Sequence, residues 1–220
     1  MSEVADRLGL SRQRVLELIS SEELPARKIG RQWVVEEPDI AGWGQRRGSV
    51  GRPMAPAVAW GLIALLQGRD PDWLSPSERS RLRSRLRRQP SVDAVGNWVR
   101  KRSELHWLAG HRSALPKILD VPDALPTGVS APGHDVIVIN RTEIYLPGER
   151  FADLVSELLL DPSNPYAANI LIRVPNGLWP FDNEVGAVAV AMDLWEAGDD
   201  RSRRAASLVY KKALRSWVNS

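Results

Sequence analysis

The sequence predicts an α+β, helix-rich protein made of a small N-terminal domain and a larger, mostly helical domain with a few short strands. Apolar residues recur at helical spacing through most of the 220 residues, whereas stretches with strand patterning are few and short. A segment rich in glycine, proline and arginine, GQRRGSVGRPMAP, separates the two parts. We therefore predict a domain over 1–43, a linker over 44–56, and a dimerisation or partner-binding domain over 57–220, with a second boundary allowed in the loop 116–133.

The first twenty residues predict two short helices, Ser2–Leu8 and Arg12–Ser20. Gly9 ends the first helix because glycine accepts the left-handed backbone that a tight turn requires. Ser11 is placed to cap the second helix. This second helix has three apolar residues that we expect to face inward: Val15, Leu16 and Ile19.

The first turn of the second helix carries three long polar side chains, Arg12, Gln13 and Arg14. In a helix-turn-helix, this turn enters the major groove of DNA. Arginine can form paired hydrogen bonds with guanine, and glutamine can do so with adenine. We therefore predict that these three residues read bases, although plain surface positions remain the alternative for each.

A β-hairpin is predicted next, with strands Ala26–Ile29 and Trp33–Val35 joined by a turn at Gly30, Arg31 and Gln32. A two-stranded wing of this kind offers side chains to the phosphates or the minor groove. The predicted backbone-contacting residues are Ser11, Arg27, Lys28, Arg31 and Gln32. A short helix then returns Trp43 to the core.

These elements arrive in the order of a known domain. The segments VADRLGLSRQRV, LPA, IGRQW and DIAGW lie within Ser2–Trp43, and together they resemble the excisionase-type winged helix-turn-helix, a relative of the MerR DNA-binding domain. The resemblance covers about a fifth of the chain and implies binding to double-stranded DNA. One departure is that the family usually has a few more residues before its first helix. A winged helix that packs only against protein is the alternative.

In the larger domain, periodicity predicts further elements in order. The predicted helices are 57–66, one opening at Ser75, 92–102, 151–160, 185–197 and 201–218, and the predicted strands are 136–139, 143–146 and 170–174. Ser75, Pro76 and Glu78 form a capping-box pattern at the start of the arginine-rich helix. Arg79, Arg83 and Arg87 on that helix are candidates for additional phosphate contacts. A surface for RNA or an acidic partner, and a solvated helix face, stay open as alternatives.

The last fifty residues carry a second resemblance. The order Ile172-Arg173-Val174, Trp179-Pro180, Asp193-Leu194 and Gly198 to Ala205 is similar to the C-terminal domain of abortive-infection E type regulators and antitoxins. Those proteins are paired with nucleotidyltransferase toxins, so the resemblance implies that this half binds a toxin or dimerises. From the residues alone, we expect Asp193 to pair with Arg201 or Arg204.

Charge is distributed unevenly along the chain. The net charge is only +3, but residues 53–118 carry twelve Lys/Arg against five Asp/Glu, and residues 119–220 carry nine against fourteen. A basic middle is suited to a polyanion.

There is no cysteine, which excludes disulfides and thiolate chemistry. No signal peptide or membrane span is apparent, and we expect a soluble cytoplasmic protein.

Catalytic motifs are weak throughout. The histidines are His106, His111 and His134, and the first two are about 140° apart around a helix, so they cannot share one metal from one helix face. No glycine-rich phosphate loop or nucleophile elbow is present. We therefore expect no enzymatic activity, no metal and no cofactor.

The functional expectation is a sequence-specific DNA-binding transcriptional regulator of antitoxin type that represses its own operon. We expect it to bind double-stranded DNA as a homodimer, because a single helix-turn-helix of this size seldom binds tightly alone. Two alternatives remain: a toxin-neutralising interaction protein with secondary DNA binding, and a recombination directionality factor (an excisionase). The long segment after the linker argues against the last.

Overall fold

The computed structural model describes residues 2–8, 10–20, 24–30, 32–36, 52–136 and 138–219. The chain divides into two compact units, Met1–Val50 and Gly51–Ser220.

The N-terminal unit contains two helices and a hairpin. Helix α1 spans Ser2–Leu8 and α2 spans Arg12–Ser20, as the capping and spacing signals predict. Strands β1, Arg27–Ile29, and β2, Gln32–Val34, pair antiparallel, so the hairpin is also present. Gln32 belongs to β2 rather than to the turn. The predicted helix around Trp43 lies outside the described residues.

The core of this unit is a small apolar cluster. Its buried members are Val4, Ala5, Val15, Leu18, Ile19 and Leu24. The prediction that Leu16 faces inward is wrong, since Leu16 is 37% exposed whereas Leu18 is 1% exposed. Positions three and four residues after Val15 share its helix face, and Leu16 does not.

The larger unit has seven helices and five short strands within its described residues. They are α3 Pro56–Leu66, α4 Pro76–Arg87, α5 Val92–Val99, β3 Ser103–Ala109, α6 Ala114–Leu119, β4 Leu125–Pro126, β5 Thr142–Tyr145, α7 Gly148–Glu157, β6 Asp161–Pro162, β7 Ile170–Pro175, α8 Ala187–Ala197 and α9 Asp200–Val218, with a 3₁₀ turn at Gly128–Ser130. The α+β, helix-rich class predicted from the sequence is therefore confirmed.

The five strands form one mixed sheet in the order β4-β5-β7-β3-β6. Strands β5 and β7 are parallel, and α7 makes the connection between them. The remaining pairs are antiparallel. The sheet thus brings β3 against β7, more than sixty residues later in the chain.

Helices cover both faces of this sheet. Successive strand residues point to opposite faces, so Ile144 and Tyr145 identify the two sides. Ile144 packs in a cluster that includes Ile118 of α6 and Leu154 of α7. Tyr145 packs in the larger cluster with Trp60 of α3 and with residues of α8. The result is a central sheet between two helical layers.

Several predicted elements of this unit need correction. Helix α5 ends at Val99 rather than 102, and the segment after it forms β3, a strand that the residue pattern does not predict. The predicted strand 136–139 is wrong, because residues 136 and 138–139 are coil and turn. The loop predicted over 116–133 contains most of α6, β4 and the 3₁₀ turn.

The capping box at the start of α4 is confirmed. The Glu78 amide donates to Ser75 Oγ at 3.3 Å, and the Ser75 amide donates to Glu78 Oε2 at 3.0 Å. The Ser75 hydroxyl also donates to Glu78 Oε2 at 2.7 Å, and this bond, followed by the bond from the Ser75 amide, lowers the pKa of Glu78. Within the described residues, no helix has the length and apolar character needed to cross a membrane.

Candidate nucleic-acid interface

The turn between α1 and α2 is fixed by two backbone contacts. The Leu10 amide donates to the Ala5 carbonyl at 2.9 Å, and the Val15 amide donates to the Ser11 carbonyl at 3.1 Å. Ser11 also caps α2, because its hydroxyl accepts from the Arg14 amide at 3.2 Å. Ser11 therefore has a structural role at the start of α2. The predicted turn residue Gly9 lies outside the described residues.

The first turn of α2 presents its three polar side chains to solvent. Arg12, Gln13 and Arg14 are all exposed, while Val15 and the next turn supply the buried face. The Arg14 guanidinium lies 2.8 Å from Glu17 Oε2, and the two side chains are 44% and 49% exposed. An exposed pair of this kind contributes only about 0.2–1 kcal/mol. The ion pair with Glu17 therefore constrains the Arg14 side chain only weakly.

The described strands of the hairpin carry two cations, which lie on opposite faces. Arg27 and Lys28 are consecutive in β1, so their side chains project to opposite sides of the strand pair. Both are exposed, as is Gln32. The Lys28 ammonium lies 5.6 Å from the Trp33 ring centroid, directly across the hairpin. A hairpin inserted edge-on into a groove would offer one cation to each wall. Arg31 lies outside the described residues.

The arginines of α4 are partly neutralised by one carboxylate. Arg83 lies 3.1 Å and Arg79 lies 3.6 Å from oxygens of Asp70. Arg87 is exposed. Arg79 and Arg83 therefore share a described partner, Asp70, and Arg87 has no described ion pair with it. The prediction for this helix remains a prediction.

A second charged feature lies inside the larger unit. We call it the buried charge network, and its members are Arg102, Arg141, Glu143, Arg173, Asp193 and Glu196. Arg102 contacts Glu196 at 2.7 Å and also pairs with Asp193. Arg173 contacts Glu196 at 2.5 Å and Asp193 at 3.3 Å. The predicted pairing of Asp193 with Arg201 or Arg204 is therefore wrong. Its ion-pair partners are Arg173 of β7 and Arg102, which directly precedes β3.

The other side of the network centres on Glu143 and Tyr145 of β5. Arg141 lies 2.8 Å and Arg173 lies 3.7 Å from the two oxygens of Glu143. Burial raises the pKa of Glu143, and the charges of the two arginines oppose that rise. The Tyr145 hydroxyl donates to Asp193 at 2.8 Å, and burial raises the pKa of this phenol. Thr127 donates to the other Asp193 oxygen.

Charges balance within the network, which contains three arginines and three carboxylates. Burial disfavours the charged guanidiniums of Arg102 and Arg173, but the surrounding carboxylates outweigh it and raise both pKa values. The ion pairs of Asp193 and Glu196 join α8 to Arg173 of β7 and to Arg102 before β3, whereas those of Glu143 join β5 to Arg141 and Arg173. The arrangement can therefore hold α8 on the sheet, and it leaves little accessible surface for a substrate. One sequence signal could have revealed it: the apolar segment ILIRVP contains one charged residue, and the apolar segment AVAVAMDLWEA contains two.

The histidines lie apart from one another. His106 stacks on Phe151 with ring centroids 4.0 Å apart, His111 contacts the Ser113 hydroxyl at 2.8 Å, and His134 contacts the Gly128 carbonyl at 2.8 Å. His106 lies in β3 and His111 in the loop that follows it, so one helix does not carry both. In the described part of the chain, no three His, Asp or Glu residues are grouped as metal ligands would be.

The comparisons with known proteins concern the N-terminal unit. Residues 1–48 match the family model described as a helix-turn-helix domain. No curated protein and no solved structure matches the chain. The family match agrees with the geometry of α1, α2 and the hairpin: this unit is a helix-turn-helix domain. The chain is thus a DNA-binding helix-turn-helix protein, whose larger unit lies outside the match.

Proposed function

We propose that this protein is a sequence-specific transcriptional regulator of antitoxin type that represses its own operon. The observation that carries the proposal is the first turn of α2. Arg12, Gln13 and Arg14 project from a helix whose start is capped and whose opposite face is packed in a core. A rigid, exposed turn with these side chains suits base recognition in the major groove.

The remaining residues of the domain have backbone-positioning roles in this proposal. Arg27, Lys28, Arg31 and Gln32 would contact phosphates or the minor groove, and Ser11 would orient α2. The protein would act as a homodimer in the cytoplasm, on half-sites one helical turn apart, about 34 Å. We propose no catalytic step and no cofactor for it.

Footprinting on the DNA upstream of the gene tests this function. The full-length protein should protect a discrete site, with much weaker binding to a scrambled duplex of equal length and salt. Replacing Arg12 and Gln13 by alanine should abolish the footprint. Arg112→Ala removes one exposed charge in the larger unit and should leave it intact. Equal affinity for the upstream and scrambled duplexes would contradict sequence-specific regulation.

A second candidate function is neutralisation of a toxin, with DNA binding secondary. Large apolar side chains on the surface of the larger unit support it: Ile139 is 77% exposed, Leu159 is 84% exposed and Leu208 is 67% exposed. Leu159 also has a φ of 50°, an unfavourable backbone for leucine. Co-expression with a nucleotidyltransferase encoded beside the gene, followed by size-exclusion chromatography, tests this candidate. A complex that Leu159→Asp disrupts would support it, and two separate peaks for the wild type would contradict it.

A further inference from the structure

A cationic cavity lies where the chain enters the larger unit. It has a volume of about 580 Å³, within the range of about 300–1,000 Å³ typical of small-molecule sites. Arg52, Arg100 and Lys101 contribute charge to its lining, and none of the described lining residues is Asp or Glu. The cavity therefore favours an anion.

The walls of this cavity are held in place by buried contacts. The Met54 amide donates to the Trp98 carbonyl at 2.9 Å, which ties the incoming chain to the end of α5. The Arg102 carbonyl accepts from Trp60 Nε1 at 3.0 Å and from the Asn176 amide at 3.1 Å. The side chain of Arg102 belongs to the buried charge network. The turn after α5 thus divides Arg100-Lys101-Arg102, with the first two residues exposed and the third buried.

The N-terminus of α3 forms another part of the lining. This helix has 11 residues, begins at Pro56, and is preceded by Ala55, which provides no side-chain cap. The amides in the first turn of a helix lack intrahelical partners, and that end of the helix carries a partial positive charge. Helix N-termini of this kind are suited to phosphate.

An independent observation comes from Ser103, which also lines the cavity. Ser103 is 8% exposed, and its hydroxyl has no hydrogen-bond partner within the described structure. A buried hydroxyl without a partner is unfavourable. An oxygen-rich anion in the cavity would give this hydroxyl an acceptor.

We propose that this cavity binds a phosphate group. Arg52, Arg100 and Lys101 would supply charge, the positive end of α3 would add to that charge, and Ser103 would supply a hydroxyl donor. The phosphate could belong to a free phosphate or phosphomonoester, or to the backbone of bound DNA. The proposal does not require the regulatory function, because phosphate binding can be measured without DNA.

Titration of the full-length protein with inorganic phosphate tests the proposal. Isothermal calorimetry and thermal unfolding should show saturable stabilisation by sodium phosphate, compared with sodium chloride of equal ionic strength and pH. Lys101→Ala and Arg52→Ala should weaken phosphate binding about tenfold or more. Arg112→Ala removes an exposed arginine outside the cavity and is the matched control, with binding unchanged.

Ser103→Ala separates a ligand-binding role from a structural one. Its unfolding temperature in chloride should equal or exceed that of the wild type, because an unpartnered hydroxyl is removed. Its phosphate binding should nevertheless weaken. A lower unfolding temperature with unchanged phosphate binding would assign the hydroxyl to structure and contradict the proposal.

The salt dependence of binding to a duplex of random sequence distinguishes the two phosphate sources. If DNA supplies the phosphate, Lys101→Ala should reduce the slope of log K against log salt by about 1. If a free phosphate or phosphomonoester is the ligand, the slope should not change. Absence of saturable phosphate binding, or equal binding by wild type and Lys101→Ala, would overturn the proposal whatever the slope.

Discussion

Replacing Arg173 by methionine should strongly destabilise the larger unit. Arg173 is 2% exposed and contacts three carboxylates, those of Glu143, Asp193 and Glu196. Methionine fills most of the same volume but supplies no charge, so the network keeps three carboxylates and loses one of its three cations. Breaking a buried ion pair by removing one partner costs about 3–5 kcal/mol.

The size of this loss is set by what remains around each carboxylate. Asp193 still has Arg102, Tyr145 and Thr127, whereas among the described residues Glu143 keeps one arginine, Arg141. We therefore expect the free energy of unfolding to fall by about 3 kcal/mol, near the lower end of that range. A domain with a total stability of about 5–15 kcal/mol would still fold.

Urea unfolding of the full chain, followed by tryptophan fluorescence, measures this change. Trp60 and Trp195 are both buried in the larger unit and report on its core. Arg112→Met makes the same substitution at an exposed position and should change stability by less than about 0.5 kcal/mol. In the Arg173→Met background, Glu143→Gln should recover part of the loss. A loss below about 1 kcal/mol for Arg173→Met would refute the view that the network holds α8 on the sheet.

Three further outcomes are expected. Arg14→Ala should weaken binding to the specific site by about 1–3 kcal/mol and relax sequence preference, as measured by competition between specific and random duplexes. Ser75→Ala removes the α4 cap and should lower the free energy of unfolding by about 1 kcal/mol in urea titration. The third concerns Glu143, whose folded-state pKa is raised above 4.5 by burial. The folded state therefore holds this proton more tightly than the unfolded state does. As pH rises from 4.5 through the raised pKa, the free energy of unfolding of the wild type should fall relative to that of Glu143→Gln, as measured by urea titrations at several pH values.

Each of these outcomes has a clear counter-result. Equal losses by Arg14→Ala on specific and random DNA would exclude base reading by that residue. Restoration by Ser75→Asp, a residue that also caps helices, should accompany the cap effect, and no change in Ser75→Ala would contradict it. A stability difference between wild type and Glu143→Gln that is independent of pH would show that Glu143 does not titrate in this range.

Local signals explain why the N-terminal unit was predicted well. The bounds of α1 and α2 follow from apolar spacing and from Ser11, and each of these acts within one or two helical turns. The same holds for α4, whose start is set by Ser75 and Glu78. Strand β3 is different, because its conformation depends on pairing with β7, more than sixty residues away. Its own sequence, SELHWLA, has no strict alternation to reveal it.

The buried charge network could not be assembled from the sequence for a related reason. Its members lie between positions 102 and 196, and only the fold brings them together. The sequence indicates that a charge in an apolar helix needs a partner, but nearby Arg201 and Arg204 are the partners that linear proximity favours. Arg201 instead contacts the Asp135 carbonyl. The prediction for Asp193 was wrong because it chose arginines that are near in sequence. Residues that are far apart in sequence, such as Arg102 and Asp193, become neighbours only in the folded protein.

The position of Asp193 and Glu196 in the chain has a consequence during synthesis. The described core of the N-terminal unit is formed by residues 4 to 35, so it can assemble while the ribosome is still translating the rest. Arg102 and Arg173, by contrast, emerge before the helix that neutralises them. Until residue 196 has left the exit tunnel, Arg102 lacks both of its carboxylates, Arg173 lacks two of its three, and the sheet face that α8 covers stays open.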